Sequence, residues 1–235
     1  MQRRNFALLY AHDMRADIVA VVDDDNIPYD NWGVDLMLGS AVDTKYYHSD
    51  LVAFDPVGAT NYPYLWHRGF PLQLLSKRDY SSFTHSKLVP DVQADFWDGD
   101  PDIDAICRMQ YAPECSFKDR CFPIASNAFS PFNSQNTFII GRLLKDYFLF
   151  PKIGRMDDIW AAYYVQAKGA CVVYGKPSVY QQRNPHNLIH DMKAEYLGYE
   201  YNLDIIQALK EDPNNISKYV PREAMKAFEL YQRHF

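Results

Sequence analysis

The chain has 235 residues, 48% hydrophobic and 15% aromatic, which excludes a disordered segment and allows one domain with a substantial core. With 24 basic and 30 acidic residues the net charge is −6 and no long basic run occurs, so nucleic acid is a poor candidate partner and an anionic ligand would need local arginines or a metal. No stretch reaches the length of a membrane span, the N-terminal apolar run is too short for a signal peptide, and Cys107, Cys115, Cys121 and Cys171 contain no CxxC pair of the zinc type.

Phe6, Leu9, Tyr10 and Met14 recur at helical spacing and predict a helix over residues 3–15. It leads into five small or β-branched apolar residues, 18–22, whose unbroken run predicts a central strand buried on both faces. That strand stops at Asp23-Asp24-Asp25-Asn26. Three adjacent carboxylates repel one another unless a cation cancels their charge, and neighbouring oxygen ligands suit Mg²⁺ or Mn²⁺. The competing reading is an acidic turn with Asp or Asn as a helix cap. Pro28 then turns the chain away, and a short strand is expected at 51–54.

In Trp66-His67-Arg68-Gly69-Phe70-Pro71-Leu72, Gly69 and Pro71 bracket a bend that would either present Arg68 to a ligand or leave it solvated. A strand is predicted at 92–97, and Asp102 and Asp104 read as caps ahead of Ala105. Another short strand fits 122–125. The polar cluster 130–137, before Phe138-Ile139-Ile140, either holds a buried loop or recognises the hydroxyls and amides of a ligand, with Asn136 as the candidate ligand-binding amide.

Asp157 and Asp158 open a helix predicted to end near Lys168-Gly169, a position that suits a cap and equally a general base. After a strand at 170–174, Pro185 starts a helix expected to run to Glu195, carrying His186 and His190 on one face. His186 is the candidate further metal ligand. Helical spacing returns at 203–210 and 222–235. Eighteen Tyr, fourteen Phe and four Trp are expected mainly in the core, with a sugar site as the other use for such a surplus. The cysteines read as reduced thiols, with a Cys115–Cys121 disulfide as the alternative.

Taken together, the strand with Asp23-Asp24-Asp25-Asn26-Ile27-Pro28, the segment 66–72, the segment Asp100-Pro101-Asp102-Ile103-Asp104-Ala105-Ile106-Cys107-Arg108, and Pro131 to Thr137 followed by Arg155-Met156-Asp157-Asp158-Ile159-Trp160 resemble the STELLO-type glycosyltransferases, a family with a GT-A nucleotide-sugar fold. The reversibly glycosylated polypeptides, which include UDP-arabinopyranose mutases, are similar at Asp23-Asp24-Asp25, at Arg68-Gly69-Phe70-Pro71 and at 154–160. That second family carries another arginine seven positions on, where this chain has Leu75.

The resemblance implies a single α/β domain over 1–235, a GT-A-like mixed sheet with helices on both faces; the chain departs from that pattern in having only one helix before the strand that leads to Asp23, where the family's nucleotide-binding half opens with strand, helix and strand. It implies a glycosyltransferase that uses a nucleotide-sugar donor, a UDP-sugar, and a glycan or other hydroxyl acceptor. Asp23 and Asp25 would hold Mn²⁺ or Mg²⁺ on the diphosphate, with Asp24, Arg68 and Asn136 as further donor contacts. Asp158 would be the base of an inverting reaction, with Asp157 as its substitute. The alternatives are a UDP-sugar mutase, with Arg68 linked to sugar attachment, and a non-catalytic sugar- or partner-binding scaffold. A haloacid-dehalogenase-type reading of the apolar strand and Asp-x-Asp lacks its downstream lysine and Gly-Asp-x-x-x-Asp. The chain is expected to be soluble and cytoplasmic if complete, and Golgi-lumenal if a membrane anchor lies upstream.

Overall fold

In the computed structural model, which describes residues 2–183 and 187–235, the apolar segments assemble into an eight-stranded mixed sheet flanked by helices. Helix α1 (Gln2–Asp13) leads into β1 (Ile18–Val22), and a turn at 23–25 opens β2 (Asn26–Pro28). Then come β3 (Val42–Tyr47), β4 (Phe83–Leu88), β5 (Val92–Gly99), α2 (Ala105–Tyr111), β6 (Ile124–Ser126) and β7 (Asn136–Ile140). The chain closes with α3 (Asp157–Ala167), β8 (Val172–Gln181), α4 (Leu188–Glu211) and α5 (Arg222–Gln232). The sheet order is β1-β7-β5-β8-β6-β3-β4, and β2 pairs with the far end of β8. No helix among the described residues is long and apolar enough to cross a membrane.

β1 and β5 are both antiparallel to β7, and β5 is parallel to β8. The carboxyl ends of β1, β5 and β8 therefore meet at one edge of the sheet, the edge where open α/β sheets bind ligands.

The apolar run 18–22 is a strand, but not a central one. β1 lies at the end of the sheet, Val21 alone of its five residues is buried, and Val22 is 41% exposed. The doubly covered position belongs to β5, where every residue except Asp98 is buried. Its sequence hides this role because Gln93 and Asp95 interrupt the apolar pattern. Gln93 Nε2 donates to Asp95 Oδ1 at 2.8 Å, so the two polar groups enter the core partly satisfied by each other.

Residues 51–54 make no strand and contribute one bridge, Ala53 to Phe129. β8 runs on to Gln181 through Pro177, where the pairing with β5 shifts register between Asp95 and Trp97, as a strand proline requires. The two helices expected at 185–195 and 203–210 are one helix, α4, capped by the Asn187 side chain on the backbone N–H of Ile189 and His190. The four cysteines are free thiols.

α3 is buried from Asp158 to Val165, so it forms the floor beneath the carboxyl edge. Trp160 Nε1 donates to Asn202 Oδ1 at 2.9 Å, Asn202 Nδ2 donates to the Gly69 carbonyl at 2.7 Å, and Tyr163 OH reaches the same carbonyl at 2.9 Å. These bonds lock α3, α4 and the turn after Arg68 into one unit.

Candidate functional site

A polar cleft of about 360 Å³ opens at the carboxyl edge. The acidic turn after β1 supplies Asp23 and Asp25, the segment after β5 supplies Asp102, and the end of β8 supplies Gln181 and Arg183. Ser134 and Gln135 enter just before β7, Asp157 and Asp158 from the start of α3, and Arg4, Arg68 and Arg155 complete the lining. No aromatic residue is among the described lining residues; Phe96, Phe132, Tyr147, Phe150, Trp160, Tyr163 and Tyr174 are core residues, each at most 1% exposed, while Phe6, Tyr10 and Tyr196 are exposed.

Arg68 lines this cleft, yet it is not a free cation. The backbone of residue 68 donates to the Asp102 carbonyl at 2.9 Å, which places the side chain between two buried carboxylates. Nε lies 2.9 and 3.1 Å from the two oxygens of Asp102 and Nη2 lies 2.9 Å from Oδ2; Nη1 and Nη2 reach the two oxygens of Asp158, each at 3.1 Å. Nη1 also donates to the Arg155 carbonyl. A guanidinium has five N–H groups, and these partners use all of them. The bend therefore turns Arg68 inward, and no donor remains for the sugar or phosphate contact expected of it. Burial opposes its charge, but Asp102 and Asp158 outweigh burial and raise its pKa well above the ordinary value.

The two acids of the α3 start differ sharply. Asp158 accepts from Arg68, from the Ser134 backbone N–H at 3.0 Å and from Ser134 Oγ at 3.2 Å. Burial would raise its pKa; the Arg68 guanidinium prevails and lowers it. A carboxylate so paired and so weakly basic is a poor proton acceptor, contrary to the role expected of Asp158. Asp157 is in no ion pair among the described residues. Burial, and then the adjacent Asp158 charge, push its pKa up to about 7. Neither residue caps the helix: the cap position is Met156, without a side-chain bond.

The acidic turn is held by its backbone. Asp23 N–H donates to the Gln135 carbonyl at 3.0 Å, and Gln182 N–H donates to the Asp25 carbonyl at 3.2 Å. Asp23 is ion-paired with Arg4, which also contacts Ser134 Oγ. Two oxygens here, Asp25 Oδ1 of the turn and Asn26 Oδ1 at the start of β2, are buried without a hydrogen-bond partner among the described residues. Asn26 Nδ2 donates to the Gln135 carbonyl at 2.7 Å, which fixes the oxygen as the orphaned end of that amide. Orphaned hard oxygens are what a divalent cation would satisfy. Among the described residues no three His, Cys, Asp or Glu side chains converge as a ligand set, so a cation here would take its remaining ligands from a phosphate and water.

Two expected site residues are not brought into the cleft, Asp24 and Asn136. Asp24 is exposed at the tip of the turn and does not line it. Asn136 points into the protein, donating to the Phe96 carbonyl at 3.1 Å and Ser178 Oγ at 2.9 Å and accepting from Trp32 Nε1 at 3.0 Å. Asn136 is the first residue of β7, and its side chain points away from the edge. His186 lies outside the described residues. Of the two acids read as caps, Asp104 is the cap, accepting from Cys107 N–H at 2.8 Å, while Asp102 is the partner of Arg68.

The residues missed by sequence reasoning are Arg4, Arg155, Gln181 and Arg183, while Ser134 and Gln135 entered it only as members of the polar cluster 130–137. Gln135 and Arg183 flank the cleft ends of β7 and β8, as Asp23 flanks β1; that signal becomes usable once the strand order is known. No protein-family model matches the chain, and no curated protein matches it.

Proposed function

We propose that this cleft binds a nucleoside-diphosphate sugar together with a divalent cation and transfers the glycosyl group to a hydroxyl acceptor. One observation carries the reading: Asp25, whose buried Oδ1 has no hydrogen-bond partner among the described residues, shares a carboxyl-edge cleft with arginines and with the Asp157 carboxyl, whose pKa is pushed up to about 7. Asp23 and Asp25 are the residues that would hold Mg²⁺ or Mn²⁺. Such an ion, when bound, supplies charge neutralisation on the leaving diphosphate.

Asp157 takes the acceptor proton, because its raised pKa matches a base working near neutral pH. Asp158 and Arg68 instead fix the start of α3, and with it the direction of the Asp157 carboxyl. The resemblance to STELLO-type glycosyltransferases supports the same assignment of the acidic turn. The mutase alternative is less well supported, since its sugar-linked arginine corresponds to Arg68, whose donors are committed.

Calorimetry with UDP in the presence and absence of Mn²⁺ tests the reading. Metal-dependent binding is expected in the wild type and its loss in Asp25→Ala. A wild type that takes up no UDP with Mn²⁺ present would overturn the donor assignment and favour the scaffold alternative.

A further inference from the structure

Within that reading of the cleft, we infer that Gln135 and Arg183 form an anion subsite beside the acidic turn, built to take a phosphoryl group without help from a metal. Both side chains line the cleft and are more than nine-tenths buried: Gln135 is 4% exposed and the Arg183 side chain 7%. Each carries a buried nitrogen with no hydrogen-bond partner among the described residues, Gln135 Nε2 and Arg183 Nε. Two unpartnered N–H donors buried at the same cleft call for an acceptor, and an anion is the strongest one.

The orientation of Gln135 is fixed by its neighbours. Asn133 Oδ1 accepts from the Gln135 backbone N–H at 3.0 Å, and Asn133 Nδ2 donates to Asp102 Oδ2 at 2.7 Å. The same Asn133 Nδ2 lies 3.2 Å from Gln135 Oε1, so that atom must be the oxygen and Nε2 must be the free end.

Arg183 is poorly matched by the protein itself. Its Nε is 3.6 Å from Asp100 and its Nη2 is 3.8 Å from Asp102, both beyond hydrogen-bond distance. Asp102 is already bound by Arg68 and Asn133, and Asp100 by Arg108. Among the described residues Arg183 makes one hydrogen bond, from Nη2 to Gln181 Oε1 at 3.3 Å.

Placement selects a phosphoryl group over a simple carboxylate. The Gln135 carbonyl accepts from Asp23 N–H and Asn26 Nδ2, and Gln182 N–H bonds the Asp25 carbonyl, so the acidic turn is tied to the backbone of Gln135 and to that of the residue before Arg183. A group with three peripheral oxygens can face Gln135 and Arg183 and still offer an oxygen to a cation on the turn; a carboxylate has two.

The probe is inorganic pyrophosphate, titrated calorimetrically into the whole chain in the presence of a chelator. Wild type should bind it without metal. Gln135→Met, which keeps length but has no N–H, and Arg183→Lys, which keeps charge but has no Nε–H, should each weaken binding by roughly tenfold or more, the usual cost of a charge-assisted bond. Arg142→Ala, at the opposite end of β7, should bind as wild type does. Lys and Met are chosen because alanine at Arg183 would strip a buried cation from between two acids; thermal denaturation confirms that each variant is folded. No pyrophosphate binding by the wild type, or wild-type affinity in both folded variants, would overturn the subsite. If UDP fails to bind with Mn²⁺ while pyrophosphate binding depends on Gln135 and Arg183, the subsite stands and the donor reading falls. Metal-dependent UDP binding with pyrophosphate unaffected by either variant leaves the donor reading and removes the subsite.

Discussion

Replacing each acid of the Asp157-Asp158 pair by asparagine should have opposite consequences. Asp158→Asn leaves Arg68 with one carboxylate instead of two and sets an amide N–H either where Arg68 Nη1 now donates, at 3.1 Å, or where Arg68 Nη2 and Ser134 N–H both donate, at 3.1 and 3.0 Å. Breaking a buried ion pair from one side costs about 3–5 kcal/mol. For a domain of this size about 2–4 °C of melting temperature is lost per kcal/mol, so a fall of roughly 6–20 °C is expected. Asp157→Asn removes no ion pair. Because the folded-state pKa of Asp157 is raised from 3.8 to about 7, the folded protein holds a proton that the unfolded chain has released, and stability falls as pH rises through that window. The neutral amide escapes this loss, so Asp157→Asn should melt no lower than wild type at pH 5 and higher at pH 8. Its turnover should drop by about 10²- to 10⁴-fold, the usual contribution of a general base. Calorimetric melting at the two pH values, beside UDP release with a sugar donor, reads all of this. Full turnover in Asp157→Asn would refute its role as base, and an unchanged melting temperature in Asp158→Asn would refute the clamp.

Gly69 sits at φ +98°, and a Cβ there would lie 2.4 Å from Ile159 Cγ2, so Gly69→Ala should cost about 2–5 kcal/mol in a melting experiment; an unchanged midpoint would mean the turn after Arg68 is not locked. Asn136→Ala should lower stability by about 1–3 kcal/mol, by orphaning Trp32 Nε1 and a backbone carbonyl, while calorimetry shows UDP binding as in wild type; lost binding in a stable variant would return Asn136 to the site. Arg4→Ala frees Asp23 from its half-exposed ion pair and should tighten Mn²⁺ binding by up to about fivefold, the worth of such a pair. Weaker Mn²⁺ binding in that variant would mean Arg4 supports the acidic turn rather than competing for it.

Local chemistry made much of this protein legible from the sequence. The helix before the acidic turn, the strand 18–22, the helix opened by Asp157 and Asp158 and the closing helix of Arg222–Gln232 all follow from periodicity and breakers. The acidic turn was legible as well, because an apolar run that stops at three carboxylates stands out whatever surrounds it. What periodicity cannot report is which strands become neighbours. β1 looked central because its five residues are apolar, and it is at the edge; β5 looked interrupted because Gln93 and Asp95 are polar, and it is buried. The roles of Arg68, Asp157 and Asp158 were equally hidden. Whether an arginine is a ligand donor or a structural counter-ion depends on what lies within 3 Å of its five N–H groups, and here those partners come from residues 102, 155 and 158. Tertiary folding brought those distant groups together, and by giving Asp158 to Arg68 it left Asp157 as the acid with a raised pKa.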